Sequence, residues 1–234
     1  MNLKILSLVI IGVCILLPDV CYAFLEKDVH LLNMQNGLAD NTVSAVYKDK
    51  EGFVWFGTRN GLSRYDGRRI TNFERSRSYP SISNLKEVFD GVLAFVDNGV
   101  FSAFDLKKER FLSVVSSSGQ GIPSRGMLQR NDSLVWVISG SELHLMKRCA
   151  SKEGELRLRV QEKYTGWNNQ DNLLVAITYS SDKKSICLID EKGRIILLDT
   201  TNLNSFRVID LGRTGSLSVN SVLYDDGRIW ISTI

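Results

Sequence analysis

The chain has 234 residues and a net charge of +3, from 29 Lys and Arg against 26 Asp and Glu scattered along it. No basic block occurs, which excludes the electrostatic footprint of a nucleic-acid binder and leaves charge naming no partner. Of four cysteines only two lie beyond residue 23, too few for a disulfide scaffold, and three prolines without sustained helical periodicity point to an all-β mature chain.

Met1 to Lys4 is a short cationic start, Ile5 to Leu17 an almost unbroken apolar run, and Cys21-Tyr22-Ala23 offers small residues where a signal peptidase reads. These features predict a signal peptide over residues 1–23, cleaved after Ala23, and a periplasmic or extracellular protein. The run is shorter than the about 20 residues a membrane span needs, and no second such run follows. Pro18 and Val20 argue against lipidation at Cys21. Cleavage removes Cys14 and Cys21, leaving Cys149 and Cys187, which an oxidising compartment permits to pair.

Within residues 24–234, the first unit is the most regular. Val43, Ala45 and Tyr47 alternate with Ser44, Val46 and Lys48, as expected of a strand with one apolar face. Lys48 to Gly52 is a turn, and Phe53 to Phe56 is an apolar run suited to a strand covered on both faces. Asn60-Gly61 predicts a type I′ turn with both residues at positive φ, leading into a third strand, Leu62 to Tyr65. Asp66-Gly67 turns again into Arg69 to Phe73, which completes four strands.

The unit recurs. From Gly52 the chain reads G-F-V-W-F-G-T-R-N-G-L-S-R-Y-D, and from Gly91 it reads G-V-L-A-F-V-D-N-G-V-F-S-A-F-D. A repeat of roughly 40 residues is the period of a four-stranded propeller blade. The place of Trp55 passes to Ala94, Trp136, Cys187 and Trp230 at spacings of 39 to 51 residues, so Trp55, Trp136 and Trp230 are expected to pack between blades. Hairpin turns recur with it at Asp97-Asn98-Gly99, Ser139-Gly140-Ser141, Glu191-Lys192-Gly193 and Asp225-Asp226-Gly227. The expected fold is a partial β-propeller over residues 24–234, with about four and a half blades of four antiparallel strands, an incomplete ring and an open strand edge that invites self-association.

Asn36-Gly37-Leu38, Asn41-Thr42-Val43 and the run from Gly52 to Gly67, in which Trp55, Gly57, Asn60, Gly61 and Tyr65 stand at repeat positions, resemble the two-component regulator propeller repeat. The resemblance implies the N-terminal periplasmic sensor part of a hybrid two-component histidine kinase, truncated here and lacking an output domain. It also implies a glycan or oligosaccharide as ligand. The remaining partners would be missing propeller blades and a downstream kinase.

The residues themselves supply little chemistry. His30 and His144 sit among apolar strand residues with no sequence neighbour suited to a metal or a nucleophile, and read as structural. Ser83-x-x-Lys86 and Ser180-x-x-Lys183 match a form that needs a helix to bring Ser and Lys onto one face, and neither stretch is helical. Asp225-Asp226 reads as a hairpin turn rather than a carboxylate pair. No catalytic residue, metal or cofactor is expected. Trp167 with Asn168, Asn169 and Gln170 forms an aromatic and amide-rich loop that offers an apolar plate beside hydroxyl-binding groups, the strongest candidate for ligand binding. A carbohydrate-active propeller enzyme and a scaffold without a small ligand remain as alternatives.

Overall fold

The computed structural model describes residues 31–74, 81–167, 172–212 and 216–233. The predicted signal peptide, His30, and Asn168, Asn169 and Gln170 lie outside the described residues. Among the described residues no helix is long and apolar enough to cross a membrane.

The fold is all-β and built blade by blade. The first sheet holds β1 (Val43–Lys48), β2 (Val54–Thr58), β3 (Gly61–Tyr65) and β4 (Ile70–Phe73) in that antiparallel order. The second blade holds β5 (Ile82–Phe89), β6 (Val92–Asp97), β7 (Val100–Asp105) and β8 (Arg110–Ser116). The third holds β9 (Gly126–Asn131), β10 (Leu134–Ser139), β11 (Glu142–Cys149) and β12 (Glu155–Tyr164), and the fourth β13 (Leu174–Tyr179), β14 (Ser185–Asp190), β15 (Arg194–Asp199) and β16 (Phe206–Asp210). A fifth pair, β17 (Val219–Asp225) and β18 (Arg228–Thr233), follows the pattern of β1 and β2. The long β12 also pairs in parallel with β8, Glu155 opposite Ser113 to Leu158 opposite Ser116, which satisfies both outer edges and joins blades two and three into one sheet.

The second strand of each blade carries the predicted repeat position, and its burial explains the sequence. Trp55, Ala94, Trp136 and Cys187 sit in β2, β6, β10 and β14 and are all buried. Each faces the following blade. Trp55 clusters with Ile82, Leu93 and Phe104 of blade two, Ala94 with Met127 and Val137 of blade three, and Trp136 with Leu174, Ile177 and Leu188 of blade four. Cys187 packs where Leu217, Val222 and Ile231 approach. At position 94 the smaller residue shares its buried cluster with the larger Phe101 and Met127.

Trp230 holds the same place in β18 and is 61% exposed, which corrects the expectation that it packs between blades. The reason is geometric: among the described residues β18 has neither a third strand nor a following blade to cover its face. Two further expectations are corrected. Gly61 alone takes a positive φ, +119°, and Asn60 does not, so the turn after β2 is not type I′. Thr58 instead closes it, its Oγ1 donating to Gly61 O at 2.9 Å and accepting from Asn60 N. Type I′ geometry appears where Asn98-Gly99 and Asp226-Gly227 both take positive φ. Cys149 and Cys187 do not pair; both are free thiols, Cys187 wholly buried with its pKa pushed up to about 12 by burial.

The motif residues ahead of β1 are bound to the first blade. Gly37, at φ +106°, closes a 3₁₀ turn over Met34–Asn36, and its carbonyl accepts from Asn72 Nδ2 at 2.8 Å. Asn60 Nδ2 donates to Ala39 O at 3.1 Å, and Ser63 Oγ accepts from Ala39 N. The Asn-Gly-Leu phrase and Asn60 therefore form one hydrogen-bonded corner, with Leu38 buried beneath it. Tyr65 closes the far end of β3 by donating its hydroxyl hydrogen to Gly67 O at 2.8 Å.

Candidate functional site

The first strands of the blades, β1, β5, β9, β13 and β17, succeed one another around the inside of the fold. Side chains of four of them line a cavity of about 250 Å³, with Ser44 and Val46 from β1, Asn84 and Lys86 from β5, and Val175 and Val219 from β13 and β17 among its walls. Ser44, Asn84, Val175 and Val219 also border a wider space of about 610 Å³, so the two are successive levels of one channel. The wider level lies at the end that carries the Asn98-Gly99 and Glu191 turns. Six serines, at positions 44, 81, 83, 124, 216 and 218, give this mouth a lining of neutral hydroxyls, with Arg125 and Glu191 as its charged members.

A bulge in β5 shapes the inner level. The pairing with β6 shifts between Ser83 and Lys86, and Asn84 takes φ +53°, an unusual value for a residue with a side chain. Its amide donates to Arg125 O at 3.1 Å, which ties β5 to the segment entering β9. Gly126 follows, and a Cβ there would lie 3.2 Å from Ile177 Cγ2, so blade four packs tightly against this glycine. Lys86 stands opposite Ala94, half-buried, and burial lowers its pKa below the ordinary lysine value.

A second cleft, of about 470 Å³, lies at the opposite end between blades one and two. Arg64 is its centre: the guanidinium stacks over Phe53, Trp55 and Phe73 at 4.8, 5.6 and 5.5 Å and pairs with Glu109 at 2.6 Å. Lys50 bridges Glu87 at 3.2 Å and Asp90 at 3.8 Å, and Lys107 also pairs with Asp90. Each cation here already has a carboxylate, so the cleft is a structural network joining two blades.

Trp167 is buried, 5% exposed, within the blade three and four interface, and its ring meets Phe206 edge-on at 6.2 Å. This corrects the expectation of an exposed plate, and the indole Nε1 has no hydrogen-bond partner among the described residues. The structure thus withdraws Trp167 from the surface, and Asn168, Asn169 and Gln170 lie outside the described residues. Sequence reading missed the channel because its lining comes from strands far apart in the chain; the legible signal was the run of serines at strand starts.

His144 is not isolated as its neighbours suggested. Its Nε2 lies 2.6 Å from Glu142 Oε2, which also accepts from Lys163 Nζ at 3.3 Å, and the hydrogen bond with His144 holds the Glu142 carboxyl below the usual range. Among the described residues no nucleophile bonds to this pair. Among the described residues no group of His, Cys, Asp or Glu could hold a metal ion.

Residues 37–60 match the family described as two component regulator propeller, and these are the residues of the hydrogen-bonded corner and the first hairpin. The chain therefore carries a two-component regulator propeller repeat. A comparison with curated proteins finds no match. Among solved structures, the extracellular domain of a protein described as a hybrid two component system from B. thetaiotaomicron superposes with a TM-score of 0.59 at 18% identity, over 87% of this chain and 29% of that one. PorZ, a surface component of the type-IX secretion system of Porphyromonas gingivalis, superposes at 0.61 with 11% identity over 88% and 27% of the two chains. Virginiamycin B lyase from Staphylococcus aureus gives 0.58 at 11% identity over 88% and 68%. At these identities the shared property is the propeller fold. The chain spans only 29% to 36% of the length of the extracellular domains it resembles.

Proposed function

We propose that this chain, which carries a two-component regulator propeller repeat, is an extracytoplasmic ligand-sensing propeller whose ligand is a glycan or oligosaccharide bound at the channel mouth. The observation that carries the reading is the mouth itself: six serines around a space of about 610 Å³, large enough for a small saccharide, of which Ser44 and Ser124 donate to backbone carbonyls. Hydroxyls and the Asn84 amide exchange hydrogen bonds with sugar hydroxyls in both directions, since each donates and accepts. The signal peptide, export and a kinase output belong to the same proposal. In it the chain binds, and transmission falls to domains such as those that hybrid two-component sensors contain.

The test is calorimetric titration of the full chain, expressed without residues 1–23, against a panel of neutral and acidic oligosaccharides. Saturable binding that Ser83→Val and Ser216→Val both weaken supports the reading. Absence of binding across the panel, or binding that neither substitution alters, overturns it. Chromatography of the incubated saccharides separates a sensor, which returns them intact, from a carbohydrate-active enzyme.

A further inference from the structure

Among the described residues, two cations that line the channel have no counter-ion. Lys86, half-buried, and Arg125, exposed, form no ion pair among the described residues, whereas two other sheltered charges are paired. Arg194 meets the fully buried Asp190 at 2.7 Å, and Glu87, 7% exposed, meets Lys50. Among the described residues Lys86 is the sole ionisable side chain on the inner level, where Val175, Ala176, Val219 and Val222 supply apolar wall. Among the described residues that line the mouth the only carboxylate is Glu191, whose Oε1 accepts the backbone N–H of Leu173 at 3.3 Å.

A sheltered ammonium without a partner is costly, and attraction between charges strengthens as water is excluded. Such a group is retained where something supplies the missing negative charge. Asn84 sits between the two cations: it belongs to the strand of Lys86 and its amide is fixed to the carbonyl of Arg125. This hydrogen bond ties the backbone at Arg125 to the bulge beside Lys86, and the two residues border successive levels of one channel, Lys86 the inner level and Arg125 the mouth.

We infer that the channel receives an anionic oxygen group, a carboxylate or a sulfate, held by Lys86 and Arg125, so that the ligand class of the mouth is acidic oligosaccharides. As to the source of the anion, this rests on the glycan reading above. Serine hydroxyls at the mouth meet the neutral part of the saccharide, and the acidic group enters toward Lys86. Burial already disfavours the free ammonium, and a bound anion removes that disadvantage, so the binding energy concentrates on acidic ligands. Arginine at the entrance presents paired donors that suit carboxylate and sulfate oxygens.

Three probes are titrated calorimetrically into the full chain without residues 1–23: an oligouronate, the matched neutral oligosaccharide, and inorganic sulfate. The expected result is at least tenfold tighter binding of the oligouronate than of its neutral match, lost at least tenfold in Lys86→Met and in Arg125→Gln. Equal binding of both saccharides, unchanged in the variants, overturns this inference and leaves the glycan reading standing. Binding of sulfate alone, abolished in Lys86→Met, keeps the anion site and overturns the glycan as its source. No binding of any probe overturns both. A measurement on the unaltered protein guards against folding artefacts: acetic anhydride labelling of Lys86 is expected to fall at least fivefold with the oligouronate and to stay constant with the neutral match. Constant labelling with a bound oligouronate places the anion elsewhere and overturns the assignment.

Discussion

The indole Nε1 of Trp55 donates to Asp49 Oδ2 at 2.8 Å, while Oδ1 of the same carboxylate accepts the backbone N–H groups of Glu51 and Phe53. One carboxylate thus closes the turn between β1 and β2 and satisfies the polar atom of the largest buried ring in the blade. Removing it strands a buried donor and frees the turn. Asp49→Ala is expected to cost roughly 2 to 4 kcal/mol, from a lost charged hydrogen bond and an unsatisfied indole. Trp55→Ala should cost about 3 to 5 kcal/mol by deleting a fully buried aromatic. Trp136 satisfies its Nε1 differently, on the Tyr179 hydroxyl of the next blade at 3.0 Å, so Tyr179→Phe should cost only about 1 to 2 kcal/mol. Denaturant titration of the three variants gives the order, and an Asp49→Ala cost near zero removes this account of the turn.

Gly57 marks where two blades come closest. A Cβ there would lie 2.6 Å from Ile82 Cγ2 and 3.1 Å from Ile82 O, contacts that force the first strand of blade two to shift. Gly57→Ala is expected to destabilise by about 1 to 3 kcal/mol through overpacking. Thermal melting measures it, with Gly52→Ala as a comparison in which a Cβ meets nothing within 4 Å and only its positive φ opposes the change.

The blade period, the strand order and the second-strand position were legible because local alternation and turn residues report on local structure. Gly57 and Asn60 were legible as repeat residues, yet their work is tertiary: one admits Ile82 and the other holds Ala39 O. What could not be read was the identity of the neighbour. Trp55 and Trp230 occupy equivalent repeat positions in sequence, and the presence of a following blade separates 1% from 61% exposure. The aromatic and amide-rich stretch at Trp167 reads as a binding loop by composition, but Leu203 and Phe206, far along the chain, bury its ring. The channel site was invisible for the same reason, since Ser44, Lys86, Arg125 and Ser216 meet only when the blades are placed side by side.

The two thiols should behave oppositely. Cys187 is buried and protonated up to about pH 12, whereas Cys149 is partly exposed at the end of β11. Iodoacetamide at pH 8.5 is expected to alkylate Cys149 in the native protein and Cys187 only after unfolding. The raised pKa of Cys187 also sets a sign: its contribution to stability is complete below the ordinary thiol value of 9.0 and is lost as the pH rises toward 12. Wild type should therefore lose stability faster than Cys187→Ala across that window, as read by melting temperature.

Trp230 and Leu223 present an exposed apolar face on the two-stranded fifth unit, beside an edge of β18 that no strand pairs among the described residues. Such an edge pairs with another chain where nothing covers it. Sedimentation velocity of the full chain without residues 1–23 is expected to show concentration-dependent association that Trp230→Lys reduces. The same change should move stability by less than about 0.5 kcal/mol, the usual range for an exposed site. A monomer at all concentrations shows that the edge is protected.

Lys86 should trade stability for binding. Burial lowers its pKa, so the folded state prefers the neutral amine, and a protonated Lys86 weakens the fold. The sign follows from linkage: the lysine's disadvantage is largest below its depressed folded pKa and disappears as the pH rises to the unfolded value of 10.5. Lys86→Met keeps the length of the apolar stem and removes the charge, so the variant is expected to melt at a higher temperature than wild type at pH 6. Its advantage should shrink by pH 10, because Arg125 and Glu191, the other charged groups of the channel, are common to both proteins. A charge kept at a cost to stability is the pattern of a functional site rather than a structural one. Melting curves at the two pH values decide it. A variant less stable than wild type at pH 6 means that Lys86 supports the fold, and the argument for a vacant cation in the channel then falls.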